Sequence, residues 1–139
     1  MFTIKYACKE DKDLWFSYDR HLSENEFLLK CRDKRGYIIS DNEKPVGIMR
    51  YNLFWDTIPF LTLIYIDNAY QRRKFGSQAM LYWENEMSKL GYKMLMTSTQ
   101  IDETAQHFYR ELGYIDRGAI FLDSTPFEQA QEVILVKLL

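Results

Sequence analysis

A run of basic and small residues between two predicted elements could bind an anion. Its members are Gln71, Arg72, Arg73, Lys74, Phe75, Gly76 and Ser77. The run follows the strand-like residues 61–66 and opens the longest helical pattern in the chain. The first N–H groups of a helix have no partner inside the helix, and the helix dipole makes that end positive. Three cations there are unfavourable without an anion, so the segment predicts either a phosphate site or a solvated basic turn.

The composition is that of an ordinary folded domain. The chain has 139 residues, 47% hydrophobic and 27% charged, which predicts a single domain over residues 1–139. The net charge of −2 gives no reason to expect nucleic acid or a membrane surface as a partner. We also find no signal-peptide or transmembrane pattern. Cys8 and Cys31 lack metal-ligand spacing and disulfide density, so we expect reduced thiols, no metal and a cytoplasmic location.

Strand and helix signals alternate in the first half of the chain. Period-two alternation predicts strands over residues 2–6, 36–40, 46–51 and 61–66, with turns at 41–45 and near 55–57. Helical spacing over residues 11–20 predicts a first helix, and a capping pattern from Ser23 to Glu26 opens a second one. The strand over residues 61–66 is apolar on both faces, which is typical of a central, covered strand.

The second half continues with two helices and three strands. The helix after the basic run has an apolar stripe, with Glu84 away from it, and stops at Gly91. The stripe contains Phe75, Ala79, Tyr82, Trp83, Met87 and Leu90. Asp102 is predicted to cap a fourth helix that ends at Gly113. Strands over residues 92–99, 114–122 and 132–138, with a loop at 124–131, complete a mixed α/β (α+β) fold of order β-α-α-β-β-β-α-β-α-β-β.

Two spaced motifs resemble those of the GNAT superfamily of N-acetyltransferases. The first, which resembles the acyl-CoA pyrophosphate motif, reads Gln71-x-x-Lys74-Phe75-Gly76. The second reads Asp102-x-x-Ala105-x-x-Phe108-Tyr109-x-x-x-Gly113-Tyr114. The element order is similar to the GNAT fold, which implies a mixed, mostly antiparallel central sheet flanked by helices. The sequence departs from the family at Lys74, where the family has glycine, and at Asp102, where it often has asparagine.

The resemblance implies a reaction and a role for each motif. Acetyl-CoA would be the acyl donor, and the acceptor would be an unidentified primary amine of a small molecule or peptide. Backbone N–H groups from Arg72 to Ser77 would hold the pyrophosphate, and Asp102 stands where the family asparagine contacts the pantetheine arm. The strand residues that would pair with the pantetheine are Leu63, Ile64, Tyr65 and Ile66. Tyr109 would protonate the departing CoA thiolate, and a homodimer is compatible with the sequence.

Several residues have an alternative interpretation. Periodicity alone makes Tyr109 a core residue, whereas the motif makes it a proton donor. His107 lies on a different helix face and is predicted to be on the surface. Residues 61–66 contain no carboxylate or histidine, so Asp67 and Asp56 are the candidate bases, unless a water chain or a neutral amine replaces them.

Two wider questions also stay open at the level of sequence. An aromatic group near the 55–57 turn could be core packing or an acceptor pocket. It contains Tyr51, Phe54, Trp55 and Phe60. The competing function is a non-catalytic CoA-binding or interaction module, which Lys74 and the missing base would favour. A Rossmann or P-loop nucleotide enzyme is disfavoured because neither glycine motif is present.

Overall fold

The computed structural model describes all 139 residues and contains the predicted elements in the predicted order. The strands are β1 (Phe2–Tyr6), β2 (Gly36–Asp41), β3 (Lys44–Phe54), β4 (Ile58–Ile66), β5 (Met94–Gln100), β6 (Ile115–Ile120) and β7 (Glu132–Leu138). The helices are α1 (Lys12–Tyr18), α2 (Glu24–Asp33), α3 (Phe75–Lys89) and α4 (Ala105–Glu111). Two short 3-10 turns, Lys9–Asp11 and Asn68–Tyr70, precede α1 and follow β4. No helix is long and apolar enough to span a membrane.

All seven strands form one mixed sheet in the order β1-β2-β3-β4-β5-β7-β6. The pair β4/β5 is parallel, whereas β1/β2, β2/β3, β5/β7 and β6/β7 are antiparallel. The predicted mixed, mostly antiparallel sheet and the central position of β4 are therefore confirmed. The prediction that both faces of β4 are covered is wrong at Tyr65, whose side chain is 38% exposed.

The chain divides into two compact units, of which the first contains Met1–Asn52 and Thr62–Trp83. Its core is built around the fully buried Trp15 of α1 and Phe27 of α2, whose ring centroids are 5.3 Å apart. Ala7, Ile38 and Ile48 complete this apolar cluster. Ser23 caps α2 as predicted, because its side chain accepts a hydrogen bond from the Glu26 N–H at 3.1 Å.

A buried ion pair orders the segment between α1 and α2. Asp19 accepts hydrogen bonds from Arg50 Nε at 2.8 Å and from Trp15 Nε1 at 3.1 Å. The His21 N–H donates to the same carboxylate at 3.1 Å. Burial acts to raise the pKa of Asp19, but the bonds from Arg50 and His21 outweigh it, so this pKa lies below its ordinary value. Asp19 is therefore ionised and held in place at neutral pH.

The second unit contains Leu53–Leu61 and Glu84–Leu139. Strands β5 and β7 pair along their whole length, from Met94↔Leu138 to Gln100↔Glu132. A buried polar group lies beside them: Glu84 accepts hydrogen bonds from the Tyr114 hydroxyl and from Lys137 Nζ, both at 2.9 Å. The prediction that Glu84 lies away from the core is therefore wrong, because these two partners compensate its charge.

The ends and faces of α3 and α4 correct further predictions. Tyr82 and Leu90, both assigned to the apolar stripe, are exposed, and Leu90 lies beyond the last residue of α3. Gly91 and Gly113 have φ values of +94° and +95° and end their helices as predicted. The predicted cap at Asp102 is wrong, since α4 begins at Ala105 after Thr104.

Candidate active site

The basic run forms a turn that leads directly into α3, as predicted. The first backbone bond of the helix joins the Gln78 N–H to the Lys74 carbonyl at 3.0 Å. The N–H groups of Phe75, Gly76 and Ser77 precede that bond and therefore have no partner within the helix. They lie at the positive end of a helix of 15 residues. This arrangement is suited to binding an anion.

The backbone of the turn is left-handed at two positions. Arg72 has a φ of +66° and Lys74 a φ of +68°. Left-handed residues within a turn can orient successive N–H groups towards one point, which creates a concave anion site. A left-handed lysine is strained, because its Cβ crowds the following carbonyl. Glycine adopts a positive φ without this strain. Lys74 therefore has a backbone conformation that suits glycine, and glycine is the residue that the GNAT family has at this position.

The three cations of the turn differ in their surroundings. The Arg73 guanidinium lies 4.8 Å from the centroid of the Tyr70 ring and 3.9 Å from Asp41 Oδ2. The charge of Arg73 is therefore partly compensated within the protein. Arg72 and Lys74 are exposed and form no ion pair. Two of the three positive charges are available to an anion at the start of α3.

We predict that Lys74→Gly raises the free energy of unfolding by about 1 kcal/mol, because it relieves the left-handed strain. Acetyl-CoA affinity should fall and depend less steeply on salt, because an ammonium is lost while the backbone path is kept. Thermal unfolding and calorimetry at two salt concentrations measure both effects.

Asn42→Gly is the matched control, since Asn42 has a φ of +57° in the β2–β3 turn. It should relieve strain without changing acetyl-CoA affinity. Tighter acetyl-CoA binding by Lys74→Gly would contradict this prediction and would show that the lysine side chain obstructs the ligand.

Strand β4 leads into this turn, and a side chain holds the junction. Gln71 Nε2 donates to the Ile66 carbonyl at 2.9 Å, and the Asp67 N–H donates to the Val46 carbonyl at 2.8 Å. Ile66 is buried, whereas Leu63 and Ile64 are half-buried. The side chain of Gln71 therefore holds the end of β4 and positions the turn.

Tyr109 lies on α4 and is buried in the second unit, with 6% of its surface exposed. Its ring packs against Phe108 and Tyr114, with centroids 5.4 and 5.9 Å away. Its hydroxyl hydrogen-bonds to Thr97, whose Oγ1 donates to the Leu61 carbonyl at 3.2 Å. The predicted core packing is confirmed, and the hydroxyl belongs to a short polar chain.

The protonation state of Tyr109 suits a proton donor. Burial raises the pKa of Tyr109 above its ordinary value. The hydrogen bond with Thr97 acts to lower this pKa, but burial outweighs it. The phenol is consequently protonated at neutral pH. The sequence did not indicate Thr97, because this residue belongs to no motif. The structure identifies it through the pairing of Leu61 with Thr97 across β4 and β5.

The remaining candidates lie in other environments. Asp102 is exposed in the turn before α4, and His107 is exposed on that helix, as predicted for a surface residue. Asp56 is exposed in the β3–β4 turn. Asp67 is half-buried and accepts a hydrogen bond from the Tyr18 hydroxyl at 2.9 Å.

The aromatic group near the β3–β4 turn is not one cluster with one environment. Tyr51 is buried, and its ring centroid lies 5.7 Å from that of Trp83. Trp55 is 77% exposed and stacks on Phe54 at 4.6 Å, while the Phe54 and Phe60 centroids are 6.0 Å apart. Core packing therefore accounts for Tyr51, whereas the rings of the turn itself are partly open to solvent.

Comparison with solved structures reveals close similarity of fold at low sequence identity. The ribosomal-protein-S18-alanine N-acetyltransferase from Escherichia coli has a TM-score of 0.82 at 18% identity, over 99% of this chain and 94% of that chain. Naa50 from Arabidopsis thaliana, in complex with the bisubstrate analogue CoA-Ac-MVNAL, has a TM-score of 0.81 at 11% identity, over 98% and 97% of the two chains.

A third structure contains the expected acyl donor. A GNAT family acetyltransferase from Elizabethkingia anophelis with acetyl-CoA bound has a TM-score of 0.78 at 17% identity, over 99% of this chain and 98% of that chain. A search of curated proteins finds no significant sequence match.

Family membership follows from the sequence itself. The sequence model described as the acetyltransferase (GNAT) family matches residues 4–114, which include the basic run, β4 and Tyr109. The chain therefore belongs to the GNAT family of acetyltransferases.

Proposed function

We propose that this acetyltransferase transfers the acetyl group of acetyl-CoA to a primary amine of a small molecule or peptide by direct attack. The observation that carries the proposal is the start of α3, where three backbone N–H groups precede the first helical bond. The exposed Arg72 and Lys74 add positive charge beside them. A pyrophosphate is a doubly charged anion of the kind that this arrangement favours.

Each element contributes one part of the proposed acetyl-CoA site. Backbone N–H groups from Arg72 to Ser77 hold the pyrophosphate, since a helix start and a left-handed turn both present such groups. The backbone of β4 from Leu63 to Ile66 pairs with the pantetheine, which has peptide-like amides. Asp102 contributes at the pantetheine arm, where its exposed carboxylate can accept a hydrogen bond from an amide.

Tyr109 supplies the proton that the reaction returns to sulfur. The acceptor nitrogen must be neutral when it forms the new N–C bond, and the C–S bond of the thioester then breaks. The nitrogen becomes positively charged as it forms this bond and then loses one proton to solvent. The protonated phenol of Tyr109 donates its proton to the departing thiolate. Solvent then returns a proton to the phenolate. The raised pKa keeps Tyr109 in the protonated form that this step requires.

The neighbouring structures suggest which acceptors to test. One is named for an alanine of a ribosomal protein, and another was solved with a bisubstrate analogue that contains a peptide sequence. Peptides with a free N-terminus therefore belong in the panel of acceptors beside polyamines and small amines. Fold similarity does not set the acceptor, so the panel must include all three classes.

We predict that acetyl-CoA at a hundredfold excess over its Kd stabilises the protein by about 2.7 kcal/mol, because it binds only the folded state. Thermal unfolding measures this shift, and release of CoA across the acceptor panel measures turnover. The proposed function predicts both signals. A stabilised protein that released no CoA with any acceptor would instead support the non-catalytic binding module.

Three further proposals concern the whole chain. We propose a single GNAT domain over residues 1–139, supported by the family match over residues 4–114. A cytoplasmic location is supported by Cys8 and Cys31, which are both free thiols. The homodimer stays a prediction, which light scattering of the purified protein would test.

A further inference from the structure

The sheet of the second unit has helices on one of its faces only. Tyr109 of α4 hydrogen-bonds to Thr97 of β5, and Glu84 of α3 accepts a hydrogen bond from Lys137 of β7 at 2.9 Å. Successive side chains of a strand point to opposite faces of the sheet. The residues that alternate with Thr97 and Lys137 therefore point away from α3 and α4, the helices that contribute to this unit.

The residues on the side away from these helices are apolar. The strand register aligns one row of them across β4, β5, β7 and β6, and a second row across β5 and β7. The first row contains Phe60, Met96, Val136 and Ile115, and the second contains Met94 and Leu138. These six residues are called the open face below.

The open face becomes more exposed towards the edge of the sheet. Met96 of β5 is buried, Val136 of β7 is half-buried, and Ile115 of the edge strand β6 is 56% exposed. In the second row, Met94 is half-buried and Leu138 is 73% exposed. None of the six side chains carries a charge. A contiguous apolar surface of this kind usually marks an interaction site.

The area of the open face can be compared with that of a dimer interface. Trp55, which is 77% exposed, extends the face through its stacking on Phe54, whose ring lies beside that of Phe60. A large apolar side chain has about 200 Å² of surface, so Trp55, Leu138 and Ile115 together expose about 400 Å². The half-buried members raise the total to about 500 Å². One partner in a standard homodimer interface buries about 800 Å², of which about 65% is apolar, so the two areas agree.

We propose that the open face is the interface with a second copy of this chain, related to the first by a two-fold axis. Such an axis brings the same surface of both copies together, so an uncharged face meets an equally uncharged face. No charge is then buried without a partner. Two sheets can pack face to face at about 10 Å with their side chains interdigitated. This inference assigns an interface to the proposed homodimer and does not depend on which amine is acetylated.

The chemistry of the open face favours a second copy over an anionic partner. Nucleic acids and anionic lipid headgroups are bound through clusters of lysine and arginine. The open face contains neither residue. An apolar surface of matching area is what it requires, and a second copy supplies that surface.

Sedimentation of the purified full chain over a range of micromolar concentrations tests the interface. The unchanged protein should have the mass of two chains of 16.7 kDa. Leu138→Lys and Ile115→Lys should each raise the dimer dissociation constant by about 100-fold or more, because two lysines per dimer would lose hydration without a counter-charge. Both side chains are exposed, so neither change disturbs the core of the protomer.

Leu90→Lys is the matched control. Leu90 is 65% exposed and follows α3, which packs on the other face of the sheet, so this variant should remain a dimer. A monomeric unchanged protein at every concentration would overturn the inference. A dimer that persists in both Leu138→Lys and Ile115→Lys, or that dissociates equally in Leu90→Lys, would also overturn it. A monomer that binds vesicles of phosphatidylserine and phosphatidylcholine would overturn it and assign the open face to a lipid surface.

Acetyl-CoA calorimetry and CoA release on the same proteins distinguish this failure from failure of the proposed function. Leu138→Lys and Ile115→Lys should bind acetyl-CoA as the unchanged protein does, which also shows that they are folded. A monomeric unchanged protein that binds acetyl-CoA and acetylates an amine would overturn the interface alone. A dimer that releases no CoA with any acceptor would overturn the proposed function and leave the interface in place.

Discussion

Tyr109→Phe should lower kcat on the order of 100-fold and leave acetyl-CoA affinity unchanged, since general acids typically contribute that much or more. The substitution keeps the ring and its contacts with Phe108 and Tyr114, so only the hydroxyl is lost. The loss should shrink as the pH falls, because solvent protonates the thiolate more readily there. Steady-state rates against pH, under conditions where chemistry limits turnover, measure both effects.

Tyr114→Phe is the matched control in the same unit. Tyr114 is also buried, but its hydroxyl donates to Glu84. Its removal should lower stability, because a buried carboxylate loses a hydrogen bond, and should leave kcat within about threefold, well under the effect of a general acid. Full kcat in Tyr109→Phe would return Tyr109 to the core role that periodicity alone indicates.

Gly47→Ala should lower the free energy of unfolding by about 3 kcal/mol, at the upper end of the range for overpacking. A methyl group at Gly47 of β3 would overlap the Tyr65 carbonyl oxygen and lie 2.8 Å from Ile66 Cδ1 and 3.2 Å from Ile66 Cα. Two of these atoms are backbone atoms, which cannot move aside without displacing the end of β4. Acetyl-CoA binding should weaken with stability, because the proposed pantetheine strand shifts.

Gly118→Ala on β6 provides the comparison, because a methyl group there meets no atom within 4 Å. It should change stability by less than about 1 kcal/mol, mainly through the conformational entropy of glycine. Chemical denaturation of both variants gives the two free energies. Equal stabilities of Gly47→Ala and Gly118→Ala would contradict the close approach of β3 to the end of β4.

Most of the fold could be predicted because its signals are local. Period-two alternation located the strands, glycines at Gly91 and Gly113 ended two helices, and Ser23 capped a third. The start of α4 was misplaced because Asp102 has the right residue type for a cap. In the structure Gln106 Nε2 donates to the carbonyls of Ile101 and Glu103, both at 2.8 Å, which satisfies the turn before the helix.

The site was less predictable, because its contacts join residues that are distant in sequence. The bond between Tyr18 and Asp67 spans 49 positions, and the bond between Thr97 and Leu61 spans 36. Neither has a local pattern, since both depend on which elements become neighbours in the fold. The left-handed conformation of Lys74 could not be predicted from its residue type, because a lysine does not indicate a positive φ as a glycine does.

Transfer of a labelled acetyl group tests the central claim most directly. The protein is mixed with acetyl-CoA that carries ¹³C in its acetyl group, together with the panel of amines, polyamines and peptides. The account predicts that the label is found in an amide of one acceptor, with one free CoA formed for each amide. Release of CoA with the label found only in free acetate, or no release with any acceptor, would contradict it.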